Sequence, residues 1–162
     1  MNKAIPKTKL VISRRFDAPR ELVWGAWTNP EEYKKWWGPK DFSCPHCEID
    51  LRIGGKYLVC MRSSEGKDYW STGTYDEIIP QKKLVFTDSF ANARGNVVPA
   101  SYYNIEGEFP LMLKIVLNFE EINTKTKITL KHIGLPKGEV MEQAKMGWNQ
   151  SFDKLADSLT AV

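Results

Sequence analysis

The stretch from Glu139 to Leu159 limits what this chain can fold into more than any other. Met141, Ala144, Trp148, Phe152, Leu155 and Leu159 recur at spacings of three and four, with Glu142, Lys145, Asn149, Asp153 and Asp157 elsewhere. Such spacing gathers the apolar groups into one stripe along a helix. No other stretch can form a partner helix of similar length. A stripe carrying an indole and a phenyl ring must still be covered, so the pattern predicts a long C-terminal helix packed against strands.

The strands are legible in the same way. Lys9 to Phe16 alternates, with Leu10, Ile12 and Phe16 on one face and Arg14 as a charge among them. From Cys47 to Ile133 the period is again two, and it predicts strands at 47–52, 56–63, 68–79, 83–90, 111–121 and 125–133. Gly54-Gly55, Ser64-Glu65-Gly66, Pro80-Gln81-Lys82 and Asn123-Thr124 fall between these runs as turns, so successive strands should pair antiparallel. Gly73 in mid-strand marks a bulge or a close approach of backbone. Two short helices should follow the first strand. One starts at Asp17-Ala18-Pro19 and buries Leu22, Val23, Ala26 and Trp27; the other is capped at Asn29-Pro30-Glu31-Glu32, carries Tyr33, Trp36 and Trp37, and stops at Gly38-Pro39. Between Ala91 and Pro110 the alternation disappears in a segment rich in Gly, Asn, Ser and Pro, read as a flap.

The length, 162 residues, fits a single domain over 1–162 and should bury about 70% of the unfolded surface, leaving room for a pocket inside the core. The 23 basic and 20 acidic residues are mixed along the chain, which disfavours nucleic acid as a partner. No stretch has the length of a membrane span and Met1 to Phe16 has no apolar block of signal-peptide size, so a cytoplasmic protein is expected. Cys44, Cys47 and Cys60 are odd in number, which reads as reduced thiols rather than a disulfide framework.

The element order and a set of local patterns resemble the START-like helix-grip superfamily. Within it they resemble the C-terminal domain of the activator of the ninety-kilodalton heat-shock-protein ATPase. The patterns are Arg14-Arg15-Phe16-Asp17-Ala18-Pro19 running into Val23-Trp24, then Trp36-Trp37-Gly38-Pro39, then Glu48 to Gly55. They continue in Gly73 to Pro80, Leu84-Val85-Phe86-Thr87, Thr129 to His132, and Gly147-Trp148 with Ser151 to Leu155. The resemblance implies an α+β helix-grip fold: a curved antiparallel sheet gripping the C-terminal helix, with a cavity that in relatives accepts apolar or aromatic small molecules. It implies no particular reaction. That activator has a further N-terminal domain for which 162 residues leave no room, so a stand-alone domain is expected.

The candidate lining of such a cavity is Trp36, Trp37, Tyr57, Met61, Tyr75, Phe86, Met112, Trp148 and Phe152, each of which has plain core burial as its competing role. Two polar residues join them by strand parity. His132 shares a face with Ile128 and Leu130, and Asp88 shares one with Leu84, Phe86 and Phe90. Arg14, Asp88 and His132 would then satisfy one another, orient a ligand or transfer a proton. Cys44-Pro45-His46-Cys47 has the spacing of half a zinc site, against which stands Cys47 as a small strand hydrophobe; no metal and no cofactor is assigned. No nucleophile with a base at readable spacing and no phosphate loop occurs.

Three functions fit these residues. The first is a binding module for an apolar or aromatic small molecule, gated by the 91–110 segment and the Trp36-Trp37 corner. The second is an interaction domain that meets a chaperone through the outer face of the sheet. The third is a cavity enzyme using Asp88 and His132.

Overall fold

The computed structural model describes residues 8–160. The first seven residues, which belong to the stretch read for a signal peptide, lie outside it, as do 161 and 162 at the end of the single-domain span. The chain runs β1 (Lys9–Phe16), α1 (Arg20–Thr28), α2 (Pro30–Tyr33), β2 (Ser43–Ile49), β3 (Lys56–Arg62), β4 (Asp68–Ile79), β5 (Lys83–Ala91), β6 (Leu113–Ile122), β7 (Lys125–Ile133) and α3 (Glu139–Thr160), with a single 3-10 turn at Ala100–Tyr103. All seven strands form one antiparallel sheet in the order β1-β7-β6-β5-β4-β3-β2. Each neighbour except the β1–β7 pair is consecutive in sequence, so the sheet is a long meander whose first strand closes against its last. The curved sheet, the long helix and the two short helices make an α+β helix-grip fold. No helix among the described residues is long and apolar enough to cross a membrane.

The α3 stripe is buried as its spacing demands. Phe152 and Leu155 are completely covered, with Phe152 edge-on to Phe16 at 5.7 Å between ring centres. Trp27 from α1 packs on Tyr33 of α2 at 6.2 Å, on Trp36 just beyond it at 4.6 Å and on Trp148 at 6.1 Å, so α1, α2 and the middle of α3 share one aromatic cluster. The Asn29 side chain accepts from the backbone N–H groups of Glu31 and Glu32, which caps α2 as its sequence predicts.

Several expectations need correction: Leu22, placed on the buried side of α1, is exposed, and α2 ends at Tyr33 rather than running to Gly38. The second strand begins at Ser43, not at 47, and ends at Ile49 because Asp50 to Gly55 form a tight turn closed by Arg52 N–H to Asp50 O and Gly55 N–H to Arg52 O. β2 contains Pro45, which an edge strand tolerates because an edge does not need every residue to donate. Leu51, which the alternation placed on a strand, is therefore exposed, as is Ile53 beside it. The segment after β5 is more built than a flap. Val97 bridges Ala91, and the buried Tyr103 hydroxyl accepts from Trp70 N–H while donating to Ala91 O. Finally, β6 starts at Leu113, which leaves Met112 exposed.

The bend of the sheet is located at Gly73. A Cβ there would stand 1.9 Å from Thr87 O and 2.8 Å from the Tyr57 ring, so β4 and β5 approach closer than any side chain permits. The ladder is re-stitched by side chains: Thr87 Oγ1 accepts from Thr74 N–H, and the Tyr57 hydroxyl donates to Thr87 O. A register shift between Tyr75 and Glu77 follows immediately. Such irregularities bend a strand and increase its twist.

Candidate functional site

Bending leaves a hollow between the sheet and the N-terminal half of α3, with a volume of about 330 Å³. Its floor is Ser71 on β4, Asp88 to Phe90 on β5, Leu113 on β6 and His132 on β7. The α3 wall is Val140, Ala144, Gly147 and Trp148. Ile105 and Phe109 from the segment between β5 and β6 lie at one side, and the corner Trp37-Gly38-Pro39 at the other. The wall explains why the space exists. Where α3 carries Phe152 and Leu155 the interior is solid; where it carries Ala144 and Gly147 it lacks the bulk to reach the sheet.

The sequence-predicted residues divide. Trp37, Met61, Asp88, His132 and Trp148 line this cavity. Tyr57, Tyr75 and Phe86 surround a separate void of about 10 Å³ with Trp27 and Tyr33, room for one water at most. Trp36 and Phe152 are fully buried and line neither space, and the Trp36 indole N–H donates to Ala26 O. Met112 lies outside, 45% exposed. Sequence reasoning missed the small residues Ala144 and Ser151 as a lining, although their spacing along one face of α3 was there to be read.

The polar groups of the cavity form a short chain. Trp148 Nε1–H donates to His132 Nδ1 at 3.0 Å. An indole only donates, so Nδ1 presents its lone pair and the ring proton sits on Nε2. Nε2 is buried without a hydrogen-bond partner among the described residues; Asp88 Oδ2 is 3.3 Å away, close enough to attract it but outside hydrogen-bonding geometry. Asp88 Oδ1 lies 3.3 Å from the Tyr57 hydroxyl, whose proton has the nearer acceptor Thr87 O at 2.9 Å. Burial first, and then the Asp88 charge, push the Tyr57 phenol well above its ordinary pKa. Arg14, expected to join Asp88 and His132, does not. It pairs with Asp153 at 2.7 Å and donates to Asn149 O, clamping β1 to α3 over the Phe152 ring.

This arrangement suits orientation better than proton transfer. While Trp148 donates to Nδ1, His132 has no free lone pair with which to act as a base. The thiols are no better placed as nucleophiles: burial pushes Cys44 and Cys47 each up to about 12 and Cys60 up to about 11. Iodoacetamide at pH 8 is therefore expected to leave all three unlabelled in the folded protein and to label all three after unfolding; rapid native labelling of any, read by mass spectrometry, would contradict their burial. Cys44 Sγ donates to His46 O, while His46 Nε2 pairs with Glu48 at 2.7 Å, so the half zinc motif is spread over different partners. Among the described residues no group of three or more His, Cys, Asp or Glu is gathered for a metal ion.

The family model described as "Activator of Hsp90 ATPase homolog 1-like protein" matches residues 17–160. The chain belongs to this family. Chains of similar fold recur among solved structures. A protein from Nitrosomonas europaea is 26% identical with a TM-score of 0.73, covering 94% of each chain. A protein from Chromobacterium violaceum is 24% identical with a TM-score of 0.78, covering 95% of this chain and 98% of that one. A Silicibacter pomeroyi protein that itself carries the AHSA1 name is 21% identical with a TM-score of 0.74, covering 94% and 97%. No curated protein matches the sequence. The Activator of Hsp90 ATPase homolog 1-like fold thus accounts for the chain almost from end to end, and the cavity sits in the space between its sheet and its long helix.

Proposed function

We propose that the chain binds an apolar small molecule in the cavity between sheet and α3. The observation that carries this reading is the cavity itself: about 330 Å³, lined chiefly by Phe, Leu, Ile, Val, Met and Trp side chains, with a few polar groups on the sheet and on α3. Ligand sites have this composition, apolar over most of their surface with a small number of polar groups to fix orientation. Trp37 and Pro39 on one side and Phe109 on the other bound it, both on irregular segments able to part without breaking the sheet.

The test is thermal unfolding with a neutral apolar dye, N-phenyl-1-naphthylamine. A ligand at a hundred times its Kd stabilises by about 2.7 kcal/mol, and for a chain of this size each kcal/mol moves Tm by about 2–4 °C. The expected rise is therefore roughly 5–10 °C. In Gly147→Leu the rise should vanish, because a Cβ at Gly147 meets only Pro39 Cγ at 3.5 Å and the longer side chain fills the cavity without displacing backbone. An unchanged Tm with every apolar probe would remove the reading. The chaperone suggested by the family's own description, engaged through the outer face of the sheet, would then be the partner to seek.

A further inference from the structure

The cavity has one corner that its apolar lining does not explain. His132 is 93% buried, as its 7% exposure gives, and its Nε2–H points at no acceptor in bonding geometry. Beside it the Asp88 carboxylate, part-exposed, receives only the longer of two contacts from the Tyr57 hydroxyl. A buried donor left unsatisfied is costly, and so is a half-desolvated carboxylate. His132 Nδ1 already serves the fold by accepting from Trp148 Nε1–H, but that bond leaves Nε2–H unmet, and β7 and β5 place leucines, isoleucines and phenylalanines at the neighbouring inward positions.

Resting on the reading of the cavity as a ligand site, we propose that Asp88 and His132 recognise a hydroxyl group on an aromatic ligand. One hydroxyl satisfies both at once. Its oxygen accepts from His132 Nε2–H, and its proton is donated to Asp88. The two groups lie 3.3 Å apart, so a single oxygen can reach both. Other head groups fit less well. A carboxylate would accept from Nε2–H but would meet the Asp88 charge. An ammonium would pair with Asp88 but would set its N–H groups against Nε2–H. A hydrocarbon would leave both unmet. Trp148 sets this polarity, since its donation to Nδ1 is what keeps the proton on the nitrogen facing Asp88. The size of the aromatic part follows from volume. An engineered cavity of about 150 Å³ holds benzene, so 330 Å³ takes roughly two fused rings.

The experiment compares 2-naphthol, naphthalene and 2-naphthylmethylammonium by calorimetry on the full chain at pH 7. Naphthol is expected to bind tighter than naphthalene on the order of tenfold to a hundredfold, the range for a hydrogen bond to a charged group, and tighter than the ammonium. Asp88→Asn should shrink the naphthol preference to a few-fold. A second readout needs no substitution: in ¹⁵N-correlated spectra of the imidazole, His132 should be the Nε2–H tautomer, and naphthol should shift that nitrogen while naphthalene does not. Equal binding of naphthol and naphthalene, or a preference for the ammonium, overturns hydroxyl recognition and leaves the cavity reading standing. A full preference retained in Asp88→Asn, or an unmoved Nε2 signal, also overturns it. Failure of all three probes together with the dye overturns both.

Discussion

Gly73→Ala is expected to destabilise the protein by about 3 kcal/mol or more, beyond the usual cost of overpacking, because the clash is with backbone rather than with a side chain that can turn away. The added Cβ would lie 1.9 Å from Thr87 O and 2.7 Å from Thr87 C, distances that no rotamer change relieves. Moving β5 away would break two bonds that depend on the same approach, Thr74 N–H to Thr87 Oγ1 at 2.9 Å and Tyr57 O–H to Thr87 O at 2.9 Å. It would also move Asp88, the next residue along β5, and with it the polar corner of the cavity. Urea unfolding monitored by tryptophan fluorescence provides the stability, and the dye response provides the cavity. A loss under 1 kcal/mol would mean that the bend at Gly73 is not held by close approach. A stable variant that still bound the dye with wild-type affinity would separate the bend from the hollow.

How far such a site can be read from sequence is clear from particular residues. The long helix, the meander and the bend at Gly73 follow from periodicity and from one glycine placed inside a strand, both local signals. His132 and Asp88 were legible too, as polar residues on apolar strand faces, and the fold brings them together. Arg14 carried the same signal but met Asp153 and Asn149, because strand parity gives a face and not a position along the helix that covers it. The cavity lining was misjudged for a related reason. Large aromatic residues fill space. Trp36 and Phe152 close the interior where they lie, and the hollow begins where α3 turns to Ala144, Gly147 and Ser151. Sequence alternation likewise found β2 but misplaced its ends, since the turn at Asp50 to Gly55 is closed by backbone hydrogen bonds that Leu51 and Ile53 do not announce. Nor does any local pattern announce Lys154, whose partners lie more than a hundred residues away.

Lys154→Met is the second large expected effect, and it couples stability to the cavity's rim. The Lys154 ammonium is half-buried and faces four backbone carbonyls of the segment after α2: Phe42 at 2.9 Å, Gly38 at 3.0 Å, Pro39 at 3.3 Å and Trp37 at 3.4 Å. It therefore ties α3 to the corner that bounds the cavity. Methionine keeps the unbranched stem, one atom shorter, and removes every donor, leaving the carbonyls to water or to nothing. A loss of about 2–3 kcal/mol is expected, the cost of unsatisfied buried polar groups. Burial lowers the Lys154 pKa below its ordinary 10.5, the nearby Cys44 and Asp41 opposing that shift. The unfolded chain then binds more protons than the folded one between the lowered value and 10.5, so this residue's contribution to stability grows as pH rises through that window. The difference in unfolding free energy between wild type and Lys154→Met should accordingly widen as pH rises toward 10.5, whereas a difference that narrowed would place the ammonium in a site that favours its charge. Because the freed corner includes Trp37 and Pro39, the variant should also admit and release the dye faster, read by stopped-flow fluorescence. Unchanged rates in a destabilised variant would assign Lys154 to holding the fold alone and the opening to the Phe109 side.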